Sequence, residues 1–249
     1  MPATPAWPPR STPRLFVDTP LAAGPHPISG PPAHYLLSVM RLAVGDPVRL
    51  FDDRTGEWLA AVHSLRKRDL ILDVTDHLAE REAVPDLWLC AAPLKKGRID
   101  WLVEKACELG VDRVLPTITR RAVVDAPKLD RLRAHMIEAA EQCGRTALPT
   151  LVDPVKLPAL LRDWPTGRRL FFADETGGAD PLATMQAHPG PAAILIGPEG
   201  GFDDAERESV RAHPDAVPIS LGPRILRADT AAAAAVSLWM ASTGDWCRP

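Results

Sequence analysis

The stretch AAILIGPEGGFDDAE (192–206) decides how this chain is read. Ala192–Ile196 is a continuous apolar run, the pattern of a strand covered on both faces. It ends in a loop holding Gly197, Pro198, Gly200 and Gly201 around one carboxylate, Glu199. Asp203 and Glu206 follow at capping-box spacing, so a helix starts there. The pattern then returns. AVPISLG (216–222) is apolar and runs into LGPRILRADTA (221–231), which carries Arg224 and Arg227. Two successive strands therefore end in glycine–proline loops, with one capped helix between them. In a parallel sheet the C-terminal strand ends share an edge, where ligands usually bind. Taken alone, GPEGG reads equally well as a tight turn before a helix. It is not a P-loop, because no Gly-Lys-Ser/Thr follows, and it is not a G-x-G-x-x-G dinucleotide loop.

Outward from this pair the same rhythm holds back to residue 87. LWLCAAPL (87–94), VDRVLPTIT (111–119) and RRLFFADE (168–175) read as strands. KKGRIDWLVEKACELG (95–110) places Ile99, Leu102, Val103, Ala106 and Leu109 on one helical face, closed by Gly110. LDRLRAHMIEAAEQCG (129–144) is a second helix, and DTAAAAAVSLWMAS (229–242) a third. Strands alternating with helices predict a mostly parallel α/β sheet flanked by helices.

The first third differs. RLFV (14–17), PVRLFD (47–52), EWLAAV (57–62) and DLILDVT (69–75) are short strands, with a hairpin turn at DDRTGE (52–57). AHYLLSVMRL (33–42) is the one helical stretch. A small β-barrel is expected over 1–80, with 1–13 as a proline-rich flexible lead-in. DHLAEREAVPD (76–86) reads as the linker to an α/β domain over 81–249.

The 249 residues suffice for two modest domains. A net charge of −3 means that nucleic-acid binding rests on local basic patches. No apolar run is long enough for a membrane span, and the N-terminus lacks a signal-peptide core; a cytoplasmic protein is expected. Cys90, Cys107, Cys143 and Cys247 show no C-x-x-C pairing, and the histidines form no zinc spacing. Buried thiols are expected, and no metal. The tryptophans, Trp101 and Trp239 among them, are expected in the core.

LIGPEGGF followed by LGPRILRADTA resembles the RsmE family of SPOUT RNA methyltransferases. HYLLSVMRLAVGDPVRLFD (34–52) is similar to that family's N-terminal PUA-like domain. PLKKGRIDWLVEKACELGVDRVLP (93–116) and EAAEQCGR (138–145) are similar to its central segments. The resemblance implies a trefoil-knotted sheet, a homodimer, and S-adenosylmethionine as cofactor. It implies methylation of N3 of a uridine in the decoding region of 16S rRNA, within the assembled small ribosomal subunit. It places the cofactor at Leu195, Gly197, Pro198, Glu199, Gly200, Gly201, Leu221, Gly222, Ile225 and Leu226. The family usually reads Leu-Arg-Thr-Glu-Thr-Ala where this chain has Leu226-Arg227-Ala228-Asp229-Thr230-Ala231.

Methyl transfer from a sulfonium needs positioning above all, since the donor is already activated. Uridine N3 must lose a proton, and a cation near the developing imide anion would help. Arg227 or Arg224 is the candidate cation; Glu199 or Asp229 could accept the proton. Either arginine could instead pair with Glu199 or Asp229 to hold the loops. RNA contacts are expected from Arg41, Arg49, Arg66, Lys67 and Arg68 in the first domain, and from Lys95, Lys96, Arg98, Arg120 and Arg121 in the second. Glu104, Lys105 and Glu108 match family positions but could be surface ion pairs. Other readings are a SPOUT enzyme for another RNA site and a non-catalytic ribosome-assembly protein.

Overall fold

The computed structural model describes residues 12–124 and 126–247, so most of the expected lead-in lies outside the described residues. Two compact units emerge. One comprises the described residues up to Ala83 together with Ala140–Ala147; the other holds the described residues of Val84–Ala139 and those from Leu148 on.

The first unit contains β1 (Arg14–Phe16), β2 (Gly24–Ile28), α1 (Gly30–His34), β3 (Pro47–Phe51), β4 (Glu57–Leu65) and β5 (Leu70–Ala79). Its strands form one sheet in the order β1-β3-β4-β5-β2. Leu36, Val48, Leu50, Val62, Leu70 and Leu72 fill its core. Three features differ from the sequence reading. The strand β2, GPHPI, was hidden by its prolines; it lies at the sheet edge, where missing donors cost nothing. The helix starts at Gly30, because Pro31 and Pro32 are tolerated in a first turn. It continues as a π-helical turn over Tyr35–Val39. The strand β5 runs to Ala79, into the expected linker, because its polar end pairs with Glu57–Leu59 of β4.

The inclusion of Ala140–Ala147 has a polar cause. Arg14 is buried and ion-pairs with Glu57 at 3.3 Å. It also donates to the carbonyl oxygens of Ala140 and Arg145 and lies over the Phe51 ring. Burial lowers the affinity of this guanidinium for its proton, with the Glu57 carboxylate opposing. Glu82 accepts from the N–H groups of Thr146 and Ala147, which adds a second tie.

The second unit runs β6 (Leu87–Ala91), α2 (Arg98–Glu108), β7 (Arg113–Ile118), α3 (Leu129–Cys143), β8 (Thr150–Leu151), β9 (Val155–Lys156), α4 (Leu157–Arg162), β10 (Arg169–Ala173), α5 (Pro181–Ala187), β11 (Ala192–Ile196), α6 (Asp204–Arg211), β12 (Ala216–Ile219) and α7 (Ala228–Ser242). The last turn of α3 is the part that belongs with the first unit. The sheet order is β12-β10-β11-β6-β7-β8, with β9 also on β7, and every pair is parallel. This is the expected parallel α/β sheet. All five residues of β11 are buried, as its unbroken apolar run required. The strands β8 and β9 were missed because two residues carry no periodicity.

Strand order places the site. β11 and β12 are consecutive in sequence, yet β10 sits between them. The register aligns Phe172 with Leu195 and Ala173 with Ile219. The loops after β10, β11 and β12 therefore leave the same edge side by side.

Two expectations on burial need correction. Cys90 and Cys107 are buried, but Cys143 and Cys247 are exposed. Trp239 is in the core, but Trp101 is 39% exposed, with the Lys105 ammonium 5.9 Å from its ring. Trp101 stands in the first turn of α2, outside that helix's apolar face, and Cys143 is the last residue of α3.

Candidate active site

The C-terminal edge of the sheet carries a cleft of about 410 Å³. Its walls come from four loops. Arg98 follows β6; Asp174 and Glu175 follow β10; Gly197–Glu199, Gly201 and Phe202 follow β11; Ser220–Arg227 follow β12. Ala228 and Ala231 of α7 close it. Both glycine–proline loops thus face one cavity.

The β11 loop is shaped by close approach. Pro198 O accepts from Gly201 N at 2.9 Å, which closes a turn over Glu199 and Gly200. A Cβ on Gly197 would lie 2.6 Å from the Phe202 ring. Phe202 is itself buried, edge-on to Phe172 at 5.0 Å. Gly201 has φ +67°, and a Cβ there would overlap the Glu175 carboxylate. Asp203 then caps α6: its carboxylate accepts from Glu206 N at 2.7 Å, and Glu206 accepts from Asp203 N at 3.2 Å. This is the capping box that the sequence predicts. The Glu206 N–H, with help from Arg120 and against the effect of burial, holds the Asp203 carboxyl below its ordinary range.

The β10 loop is fixed from α6. Asp174, at the end of β10, accepts from Thr176 N and Oγ1 and pairs with Arg211 at 2.6 Å and Arg207 at 3.3 Å. Burial pushes this carboxyl up, but the Thr176 N–H and hydroxyl and Arg211 outweigh it and hold the group below its ordinary value. Arg207 also binds Glu175 at 2.7 Å. Asp174 and Glu175 line the cleft, and sequence reasoning missed them. The clue was available in RRLFFADE: two carboxylates directly after an apolar strand.

The structure brings most of the expected residues together. Gly197, Pro198, Glu199, Gly201, Leu221, Gly222, Ile225 and Leu226 line the cleft, as do Arg224 and Arg227. Leu195 does not; it is fully buried in the sheet core. Gly200 is outside the lining and faces the Arg121 side chain. Asp229 is also elsewhere. One position past Ala228 on α7, it turns away from the cleft toward Trp101, Leu102 and Lys105.

The charged groups are arranged differently from expectation. Glu199 pairs with Arg98 at 3.7 Å, not with Arg224 or Arg227. Arg98, expected at RNA, is thereby a cleft residue. Among the described residues Arg224 and Arg227 have no ion-pair partner, and both are exposed. Arg120 pairs with Asp203 at 2.9 Å, and Arg121 donates to the carbonyl oxygens of Gly200 and Phe202. Lys95 and Lys96 are exposed beside α2. In the first unit Arg41, Arg66, Lys67 and Arg68 are exposed, whereas Arg49 pairs with Glu57 at 3.4 Å. Lys105 and Glu108 are an ion pair at 2.6 Å, and Glu104 pairs with His135.

An open α/β sheet with a cleft of glycine loops at its C-terminal edge defines a class of ligand-binding α/β domain, here joined to a small β unit. Comparison with known proteins makes the class specific. Residues 80–240 match the RNA methyltransferase domain family, and residues 28–75 match the RNA methyltransferase PUA domain. Ribosomal RNA small subunit methyltransferase E of Rickettsia conorii is 30% identical over 82% of this chain and 84% of its own. The Bacillus subtilis protein of the same name is 30% identical over 84% and 87%. The chain belongs to the ribosomal RNA small subunit methyltransferase E family. Among solved structures, that of the Neisseria gonorrhoeae methyltransferase E, bound to S-adenosylmethionine, superposes with a TM-score of 0.85. It is 25% identical, over 94% of this chain and 99% of its own. A Legionella pneumophila protein solved with the same cofactor gives 0.85 at 30% identity, with the same coverage.

Proposed function

We propose that this protein uses S-adenosylmethionine to methylate N3 of a uridine in the decoding region of 16S rRNA, acting on the small ribosomal subunit. The observation that carries the reading is the shared cleft of the two glycine–proline loops, with Arg224 and Arg227 on its rim. Its volume lies in the range of small-molecule sites. Ile196, Leu221, Ile225, Leu226 and Ala231 supply apolar wall, and Gly197, Gly201 and Gly222 expose backbone to a ligand. These residues fit the cofactor, whose bound form supplies an electrophilic methyl on a positively charged sulfur.

The chain's own residues would do the rest. The loop backbones would hold the cofactor, and Glu175 offers a carboxylate to its ammonium or ribose hydroxyls. N3 of the uridine attacks the methyl carbon, the carbon–sulfur bond breaks, and sulfur keeps the electron pair. The N3 proton leaves to a base, for which Glu199 is the candidate in the cleft. Arg227 or Arg224 stabilises the negative charge that develops on the uracil oxygens. The exposed Arg41, Arg66, Lys67, Arg68, Lys95 and Lys96 would meet RNA phosphates, so binding should weaken with salt. The target base must be unpaired, because N3 is inaccessible in a duplex. The same reading includes the knotted chain path, the homodimer and the cytoplasmic location implied by the family resemblance. No helix among the described residues is long and apolar enough to cross a membrane.

The test is methyl transfer to small subunits from a strain lacking this modification, followed by nucleoside mass spectrometry. New 3-methyluridine is expected. Methylation at another base or position would refute the N3 assignment. Cofactor binding without any transfer would favour a different RNA substrate.

A further inference from the structure

We propose that Arg121 is a positioning residue for the cofactor loop and not an RNA phosphate contact. This rests on the reading of the cleft as the S-adenosylmethionine site. Residues 197–201 hold three glycines, and such a segment loses much conformational entropy when it adopts one shape. One turn bond, Gly201 N to Pro198 O, lies within the loop; the side-chain donors that hold it come from outside. Arg121 Nη1 donates to Gly200 O at 3.0 Å and to Phe202 O at 3.3 Å. Arg207 adds a donor to the same Phe202 oxygen at 3.4 Å. Arg121 also packs its stem on the loop: the Cβ position of Gly200 lies 3.5 Å from Arg121 Cβ and 3.7 Å from its Cδ.

The neighbouring residue makes the clamp a two-point one. Arg120 N donates to Glu206 Oε1 at 2.7 Å, and Arg120 Nη1 meets Asp203 Oδ2 at 2.9 Å. The segment after β7 thus holds the second half of the loop, at Gly200 and Phe202, and the start of α6, at Asp203 and Glu206. Arg121 itself lines no part of the cleft. Its effect on a bound cofactor would therefore pass through the backbone of Gly200–Phe202. A phosphate contact would use the guanidinium as a bidentate fork; Arg121 instead directs Nη1 at two carbonyl oxygens of the loop segment.

The experiment compares wild type, Arg121→Ala, Arg121→Lys and Lys96→Ala. Cofactor affinity is measured by calorimetry without RNA. The salt dependence of 16S rRNA binding is measured without cofactor, and melting temperature is followed throughout. A charge-assisted hydrogen bond at an exposed position predicts roughly tenfold weaker cofactor binding in R121A. R121K should recover part of this, since an ammonium can reach one carbonyl. Turnover at saturating cofactor should fall far less than affinity, and the RNA salt slope should match wild type. Lys96→Ala should show the opposite pattern: a shallower salt slope and unchanged cofactor affinity. An R121A protein with wild-type cofactor affinity and a salt slope reduced by about one would overturn the proposal and make Arg121 a phosphate contact. So would a large loss of melting temperature in which R121K is no better than R121A. If wild type itself binds no S-adenosylmethionine, the cofactor reading fails first and this assignment falls with it.

Discussion

Gly197→Ala is the smallest change that tests the shape of the cleft. The added methyl would sit 2.6 Å from Phe202 Cε2, 3.0 Å from Cδ2 and 3.1 Å from Cζ. Phe202 cannot simply swing away, because it is 2% exposed and packed edge-on against Phe172. Overpacking of this kind costs about 1–3 kcal/mol. The protein can respond in two ways. If the loop keeps its shape, the strain appears as lost stability, which lowers the melting temperature by roughly 2–12 °C for a chain of this size. If the loop relaxes, stability is largely kept, and the cofactor must restore the strained shape when it binds. Affinity then falls by about 5- to 150-fold. Calorimetric melting and titration with S-adenosylmethionine, run on the same preparation, read both terms. Gly200→Ala is the control. Its methyl would meet Arg121 at 3.5 Å, an ordinary contact, and the residue has no positive φ. It should leave both quantities near wild type. The reasoning is refuted if G197A matches wild type in both, or if G200A is as damaging as G197A.

Three further outcomes are expected. Arg227→Ala should lose about 100-fold in turnover and little cofactor affinity, because the role proposed for it is at the developing anion; equal losses in single-turnover rate and in calorimetric affinity would reduce it to a loop support. Asp174→Asn should cost about 1.5–3 kcal/mol in urea unfolding at neutral pH, by leaving Arg207 and Arg211 short of an acceptor. The wild-type carboxyl lies below its ordinary value, so its stabilisation is complete above about pH 3.8 and is lost as pH falls through the lower folded value; the gap between wild type and variant should be constant above that pH and close below it. Burial pushes the Cys90 thiol up to about 12, so alkylation of the native protein at pH 8 should label Cys143 and Cys247 and spare Cys90, as read by peptide mass spectrometry.

Much of the catalytic half was legible because its elements are long or have a distinct period. The five buried residues of β11, the Asp203–Glu206 capping box and the helix stop at Gly110 are local facts, set by a few neighbouring residues. The glycine–proline loops were legible as a pair for the same reason. Elements whose existence depends on a partner were not. The strand β2 carries two prolines and exists because β5 offers it an edge. The polar end of β5 is a strand only because β4 runs alongside it.

The site divides in the same way. Backbone freedom at Gly197 and Gly201 and charge at Glu199, Arg224 and Arg227 were legible in the sequence, since they are properties of the residues themselves. Tertiary structure decided which of them meet. The insertion of β10 between β11 and β12 brought Asp174 and Glu175 into the cleft. The helical phase of α7 turned Ala228 into the cleft and Asp229 away from it. The end of β7 put Arg121 on the glycine loop. Each outcome depends on strand order and helix rotation, which are set by packing between segments far apart in the chain.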